Sequence, residues 1–309
     1  MNPKFKKLLL YFWNLSVDLW LLFKDYIAYS KDKIYCLFHK PPKVLSIQES
    51  IDLVINQKLS VSRYGDGEIK LVAGIDLPFQ KYNEEIQNKL IEVLSSSKEN
   101  LLVCLSDVFT KDSLSLCTQK SQKHWIKHLS YYRHYWYKYI RKNQIYGNTF
   151  MTRCYIILND KSNSSQYFKS LKTIWKNKNI ILIEGEKSRL GIGNDLFDNV
   201  ISIKRILAPN QNAFKYYNSI LNEVFKYDSS QYLILLALGP TATILAYDLA
   251  QKGYQAIDIG HVDIEYEWFK MGATHKVPVP NKFVNEAGAG VGVGDIDNKK
   301  YLSEIVCRF

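Results

Sequence analysis

YLILLALGPTATILAYDLAQKGYQAIDIG, residues 232–260, is the stretch that decides the fold. Its apolar run Leu233–Leu238 is short and unbroken, the pattern of a strand covered on both faces. Gly239 ends the run. Pro240 stands where a helix can begin, because the first turn has no use for the N–H that proline lacks. A helix then runs to about Lys252, Gly253 stops it, and Ala256–Ile259 reads as a second strand. Two strands joined by a helix in this way lie parallel in one sheet.

The alternation continues on both sides of this unit. Short apolar runs at Leu59–Ser62, Leu101–Leu105, Tyr155–Leu158, Ile180–Ile183 and Val200–Ile203 read as further strands. Amphipathic segments such as Glu84–Leu94 and Ser165–Trp175 read as the helices between them. The expected class is α/β, a Rossmann-like, mostly parallel sheet flanked by helices. Residues 44–309 form the expected catalytic domain, and residues 1–43 an N-terminal helical extension that ends near Pro41-Pro42.

That extension opens with Lys4, Lys6 and Lys7, followed by a run rich in Leu, Tyr, Phe and Trp from Leu8 to Phe23. Asn14 and Asp18 interrupt the run, which is too short and too polar for a membrane span. No small-residue cleavage site of a secretory signal follows it. Two readings stand: a helix packed on the domain or on a second subunit, or an amphipathic helix on the inner face of a membrane. The expected location is accordingly cytoplasmic, peripheral at that inner face.

The chain has 309 residues, 47% of them hydrophobic, enough for one large domain with an extension. It carries 41 Lys and Arg against 30 Asp and Glu, a net charge of +11. Such a surface suits phosphorylated ligands, anionic lipid or nucleic acid, and charge alone does not choose among them. The five cysteines show no C-x-x-C spacing, which argues against a zinc or disulfide framework. From Lys120 to Tyr146, Trp125, Tyr131, Tyr135, Trp136 and Tyr139 interleave with Lys and Arg. The pattern is that of an amphipathic helix with its aromatics in the core, with a membrane-proximal surface as the other reading.

Open parallel sheets bind ligands beyond the carboxyl ends of their strands, so polar motifs placed directly after strands are the candidates for chemistry. The first is SRYGDGE, residues 62–68, which begins with Ser62 and Arg63. Asp66 and Glu68, separated by one glycine, offer hard oxygen ligands to Mg²⁺ or Mn²⁺; a Gly-Asp-Gly turn is the plainer alternative. The second is GEKSRLGIGND, 185–195, whose glycines admit an anion to the backbone while Lys187 and Arg189 add charge. Its spacing is neither a dinucleotide fingerprint nor a P-loop. The third, LGPTAT at 238–243, opens a helix whose free N–H groups suit phosphate, with Thr241 or Thr243 as the cap or as a ligand contact. The fourth, DIGHVDIEYE at 258–267, crowds four acids and His261 into ten residues. A helix starting near Asp263 puts Asp263 and Glu267 on one face, and a carboxylate there suits proton removal from a sugar hydroxyl. The same acids also serve as first-turn partners of a helix dipole.

Taken in order, these motifs resemble the glycosyltransferase family of GT-D fold, once a domain of unknown function, whose members act in bacterial surface-glycan assembly and adhesin glycosylation. The likeness spans roughly Val44 to Glu286, and TRCY at 152–155 and RILAPNQNAF at 205–214 add to it. It implies a metal-assisted transfer of a hexose, such as glucose, from a nucleotide-sugar, a UDP-sugar above all, to a glycan acceptor on lipid or protein. It implies that Asp66 and Glu68 hold Mn²⁺ or Mg²⁺. It further implies donor contacts from Arg63, Arg153, Lys187, Arg189, Gly193, Asn194, Asp195, Gly239, Thr241 and Thr243. Catalysis falls to His261, Asp263 and Glu267, with Glu267 the preferred base. Cys154 stands where the family pattern has a proline after Arg153, and residues 1–43 lie outside the likeness. A nucleic-acid or membrane-surface binder is the rival class, but carboxylates repel a phosphate backbone, so no nucleic-acid partner is expected. An oligomer is left open.

Overall fold

The structure is a computed structural model that describes residues 3–288 and 293–309 and, within the first helix, side chains from Asp18 onward. Nine strands are present among the described residues: β1 (Lys43–Val44), β2 (Ser60–Tyr64), β3 (Leu101–Leu105), β4 (Ile145–Asn148), β5 (Asn179–Gly185), β6 (Ser202–Ala208), β7 (Tyr232–Ala237), β8 (Ala256–Asp258) and β9 (Ile305–Arg308). They form one sheet in the order β1-β4-β3-β2-β8-β7-β5-β6-β9, and every neighbouring pair is parallel. The α/β expectation holds.

The helices are α1 (Pro3–Phe38), α2 (Ile47–Gln57), α3 (Asp66–Val72), α4 (Glu84–Leu94), α5 (Lys111–Ser115), α6 (Gln119–Tyr139), α7 (Ser164–Trp175), α8 (Tyr217–Val224), α9 (Pro240–Gln251), α10 (Val262–Lys270) and α11 (Lys299–Glu304). Their starts follow local chemistry. Ser46 and Glu49 make a reciprocal capping box on α2, and Asn83 caps α4 by accepting from the Ile86 N–H at 2.8 Å. Ile86, Leu90, Val93 and Leu94 repeat at helical spacing and are all buried. β5 and β7 are covered on both faces, as their unbroken apolar runs require.

Three differences from the sequence reading have physical causes. Tyr155–Leu158 is turn structure; Glu265 accepts from the Tyr155 and Ile156 N–H groups at 3.2 and 2.9 Å, bonds that a sheet ladder would otherwise claim. β1, at the edge, and β4, between β1 and β3, are short and carry little apolar signal. β9 joins the sheet at its far end, where buried Arg205 of β6 donates to Glu304 at 2.7 Å, just ahead of β9.

α1 packs along α6. Buried Arg133 grips Asp32 with two hydrogen bonds, at 2.6 and 3.1 Å, and Lys127 and Tyr131 hold Asp25 at 2.8 and 2.6 Å. In α6, Trp125, Leu129 and Trp136 are core residues, so its aromatics serve mainly packing. Among the described residues no helix is long and apolar enough to cross a membrane. All five cysteines are free. The Gly-rich run 287–294 falls partly outside the described residues, as do the side chains of Lys4 and Lys7.

Candidate active site

A cleft of about 630 Å³ opens at the carboxyl ends of the adjacent strands β2, β8, β7 and β5. The segments that follow these strands reach it: Gly65–Glu68 after β2, Gly260 and His261 after β8, Leu238 and Gly239 after β7, and Gly185 and Ser188 at the end of β5. This is the position that the parallel topology dictates. α6 contributes Lys120, Ser121, His124 and Trp125, and the segment 274–286 contributes Lys276 and Glu286.

Asp66 and Glu68 both line the cleft from the first turn of α3. Burial alone would raise the Asp66 carboxyl, but His124 at 3.4 Å and Lys70 at 3.0 Å hold it well below the usual carboxylate range. Glu68 turns one oxygen back to accept from the Gly65 N–H at 2.8 Å, closing a capping interaction. Its burial pushes the carboxyl up to about 7, against the pull of that hydrogen bond. The two readings of this motif therefore coexist: Glu68 caps a turn and also faces the cleft.

Arg63 lies beneath this turn. It donates to Thr152 at 2.5 Å and to Asp258 at 3.1 Å. Gly260 sits against the same guanidinium with φ +45°, and a Cβ there would overlap Arg63. Glycine is needed at 260 both for that backbone conformation and for the space.

Next to Thr152 and Gly260, Arg153 donates to Glu286 at 2.7 and 3.3 Å and lies 3.0 Å from His261 Nδ1. A guanidinium has only donors, so His261 Nδ1 accepts and Nε2 carries the proton. Burial and the Arg153 cation push the His261 imidazolium down to about 3, which keeps the ring neutral. Arg153 and Lys276, which is 2.7 Å from Glu286, hold that carboxyl well below its usual range despite its burial.

Seven of the expected site residues line the cleft: Arg63, Asp66, Glu68, Arg153, Gly239, His261 and Asp263. The others are not among its lining residues. Glu267 does not line the cleft; its carboxylate accepts from Asn194 at 2.7 Å and from Lys282 at 2.8 Å. Asp263 is held by the same two groups, at 2.8 and 2.7 Å, and by the Gly191 N–H at 2.8 Å. Both acids are thus held by hydrogen bonds in this structure, Asp263 at the cleft wall and Glu267 outside its lining. Lys187 donates to the Val293 carbonyl, and Arg189 to the Asn281 and Gly294 carbonyls. Gly193 has left-handed backbone with open space around it, and Asp195 pairs with Lys172 at 2.6 Å and with Tyr266 at 2.9 Å. Thr243 donates to the Arg63 carbonyl at 2.9 Å, and Thr241 is buried in α9. In this structure Lys187, Arg189, Gly193, Asn194, Asp195, Thr241 and Thr243 are not among the residues that line the cleft.

His124, Lys276 and Glu286 were missed by the sequence reading. Each is an ordinary residue on α6 or in the 274–286 segment, and only the tertiary fold brings them to the cleft. Among the described residues no group of three or more His, Cys, Asp or Glu side chains forms a protein-only metal cage. Two carboxylates in an open cleft instead suit an Mg²⁺- or Mn²⁺-type ion whose remaining ligands are substrate phosphates and water.

The chain matches the family described as "Glycosyltransferase GT-D fold" over residues 61–287. It is 43% identical over 268 residues to a probable glycosyl transferase Gly of Streptococcus gordonii, covering 86% of this chain and 38% of that protein. It is 41% identical over 267 residues to the glycosyltransferase GlyD of Streptococcus pneumoniae serotype 4, covering 86% of this chain and 32% of that protein. The chain thus spans less than two fifths of the length of these relatives. Two solved structures superpose on it with a TM-score of 0.83. One, of the highly conserved domain of unknown function 1792 with a distinct glycosyltransferase fold, is 41% identical and covers 92% of this chain and 99% of its own. The other, a new glycosyltransferase from Streptococcus sanguinis, is 42% identical and covers 87% of this chain and 100% of its own. With its all-parallel sheet and its cleft at the strand ends, the chain belongs to the glycosyltransferase GT-D fold family.

Proposed function

We propose that residues 44–309 transfer a hexose, such as glucose, from a nucleotide-sugar donor, a UDP-sugar, to a glycan acceptor carried on lipid or protein, in bacterial surface-polysaccharide or glycoprotein synthesis. The observation that carries this reading is the sharing of one cleft by the Asp66–Glu68 pair and a set of cationic side chains, Arg63, Lys120, Arg153 and Lys276. A nucleoside diphosphate needs both, since its charge has to be met while the sugar departs. Asp66 and Glu68 are the residues that would hold Mn²⁺ or Mg²⁺. Such an ion, when bound, supplies positive charge against the diphosphate.

The other residues act in their own right. Arg153 and Lys276 hold Glu286 and frame the phosphate side of the cleft. His261, neutral and with its proton on Nε2, donates a hydrogen bond without bringing a proton that titrates near neutrality. Phe79, beside Gly239, offers an apolar face on which base or sugar can stack. Asp263 and Glu267 keep the 185–194 loop in place through Asn194 and Lys282. The proposal is tested by incubating the chain with UDP-, GDP- and dTDP-sugars and Mn²⁺ and measuring release of the nucleoside diphosphate. Turnover of one donor class that depends on added Mn²⁺ supports it. Absence of turnover and of binding with every donor defeats it.

A further inference from the structure

The outward face of α1 is the wrong chemistry for water. Leu19, Phe23, Tyr26, Ile34 and Leu37 follow one face of the helix, with Phe38 at its border, and all are exposed, Leu37 and Phe38 by 79% and 78%. A helix lying on a soluble domain buries its apolar stripe and turns its charges outward. Here the order is reversed. The three acids of α1, Asp18, Asp25 and Asp32, are spaced by seven on another face, where Lys127 takes Asp25 and Arg133 takes Asp32. The lysines at the borders of the apolar stripe, Lys24, Lys31 and Lys33, remain exposed, and Lys24 lies over the Trp20 ring at 3.6 Å.

We infer that this face of α1 docks on an anionic lipid bilayer. An apolar stripe with aromatic residues, bordered by lysines, fits the headgroup boundary: rings and aliphatic chains enter while ammonium groups meet lipid phosphates. The helix lies in the boundary and does not span the bilayer. A second copy of α1 seated on the stripe would bring lysines against lysines, because Asp25 and Asp32, two of the three carboxylates that could pair with them, are taken by α6. α1 also runs in the same direction as α6, Asp25 against Lys127 and Asp32 against Arg133, and the start of α6 lines the cleft. The docked face therefore lies beside the catalytic opening. The inference does not depend on the proposed donor or metal.

The test is flotation of the full chain with vesicles of phosphatidylcholine, with and without phosphatidylglycerol, alongside light scattering of the protein alone. Binding to the phosphatidylglycerol vesicles, falling as salt rises, is expected. Replacing Phe23, Ile34 and Leu37 together by Ser should lower that binding by about tenfold or more for each side chain removed. Lys24→Gln, Lys31→Gln and Lys33→Gln should each lower it about fivefold. Those exposed lysines touch neither the core nor the cleft, so melting temperature and donor binding should stay unchanged. Failure to float with either vesicle overturns the inference. A dimer that the Ser substitutions split, with no vesicle binding, overturns it in favour of a second copy.

Discussion

Arg153 and Glu286, 133 residues apart in the chain, form a two-pronged ion pair at 2.7 and 3.3 Å, and the same guanidinium meets His261 at 3.0 Å. Burial first, and the Arg153 cation with it, keep the histidine neutral. With the cation removed, as in Arg153→Met, His261 loses the charge that opposes its protonation, so its pKa should climb from about 3 toward the ordinary value. Nitrogen chemical shifts of His261 followed from pH 7 to pH 4 would show this. Turnover should fall about a hundredfold, the usual cost of an oriented polar group in an active site. A His261 that titrates near 6.5 in the unaltered protein would contradict this assignment.

Glu265 makes stability depend on pH. It is fully buried, accepts two backbone N–H groups, and burial raises its carboxyl to about 7 despite the nearby Arg153. A folded pKa above the unfolded value of about 4.3 means that the folded state binds the proton more tightly. The stabilisation is complete below the unfolded value and is lost as pH rises through 7. Glu265→Gln, which cannot ionise, should remove that decline and raise stability at pH 8 relative to the unaltered chain by up to about 3 kcal/mol. Melting curves at pH 5 and pH 8 for both proteins check the sign.

Lys282 is the cation beneath Asp263 and Glu267, and all three side chains are largely buried, at 3%, 3% and 12% exposure. Lys282→Ala strands two carboxylates and should cost about 3–5 kcal/mol, read as a lower melting temperature. Glu267→Gln keeps the hydrogen bond from Asn194 and should leave turnover within about tenfold, as expected of a residue that supports the cleft without entering it. A fall in kcat of more than about a thousandfold in a variant that melts normally would return Glu267 to the role of base.

Gly260 leaves room for Arg63, and its backbone is in the left-handed region. Gly260→Ala adds both strain and a clash with a buried guanidinium, and should destabilise by about 2 kcal/mol or more. Denaturant unfolding measures it. A neutral result would mean that Arg63 has another resting place.

The fold was legible because unbroken apolar runs between amphipathic segments leave few alternatives to a parallel sheet. Leu101–Leu105 and Glu84–Leu94 lie where the pattern places them. β1, β4 and β9 were not legible, because strands this short owe their existence to partners such as Tyr146 opposite Val44. The cleft was half legible. Residues directly after strands, such as Asp66, Gly239 and His261, reach it by topology alone. Arg189 and Asn194 have the right composition for a phosphate loop, yet their donors are taken by Gly294, Asn281, Asp263 and Glu267, which no local pattern reveals. Glu286 escaped notice for the converse reason: its partners Arg153 and Lys276 meet it only in the folded chain.

The claim on which the rest depends is that Asp66 and Glu68 hold a divalent ion against the donor diphosphate. Calorimetric titration of UDP into the unaltered chain and into Asp66→Asn, each with and without Mn²⁺, tests it most directly. The account predicts tight binding only for the unaltered chain with Mn²⁺, and a loss of at least about tenfold in Asp66→Asn, which brings it to the metal-free level. Equal affinity in all four titrations would contradict it.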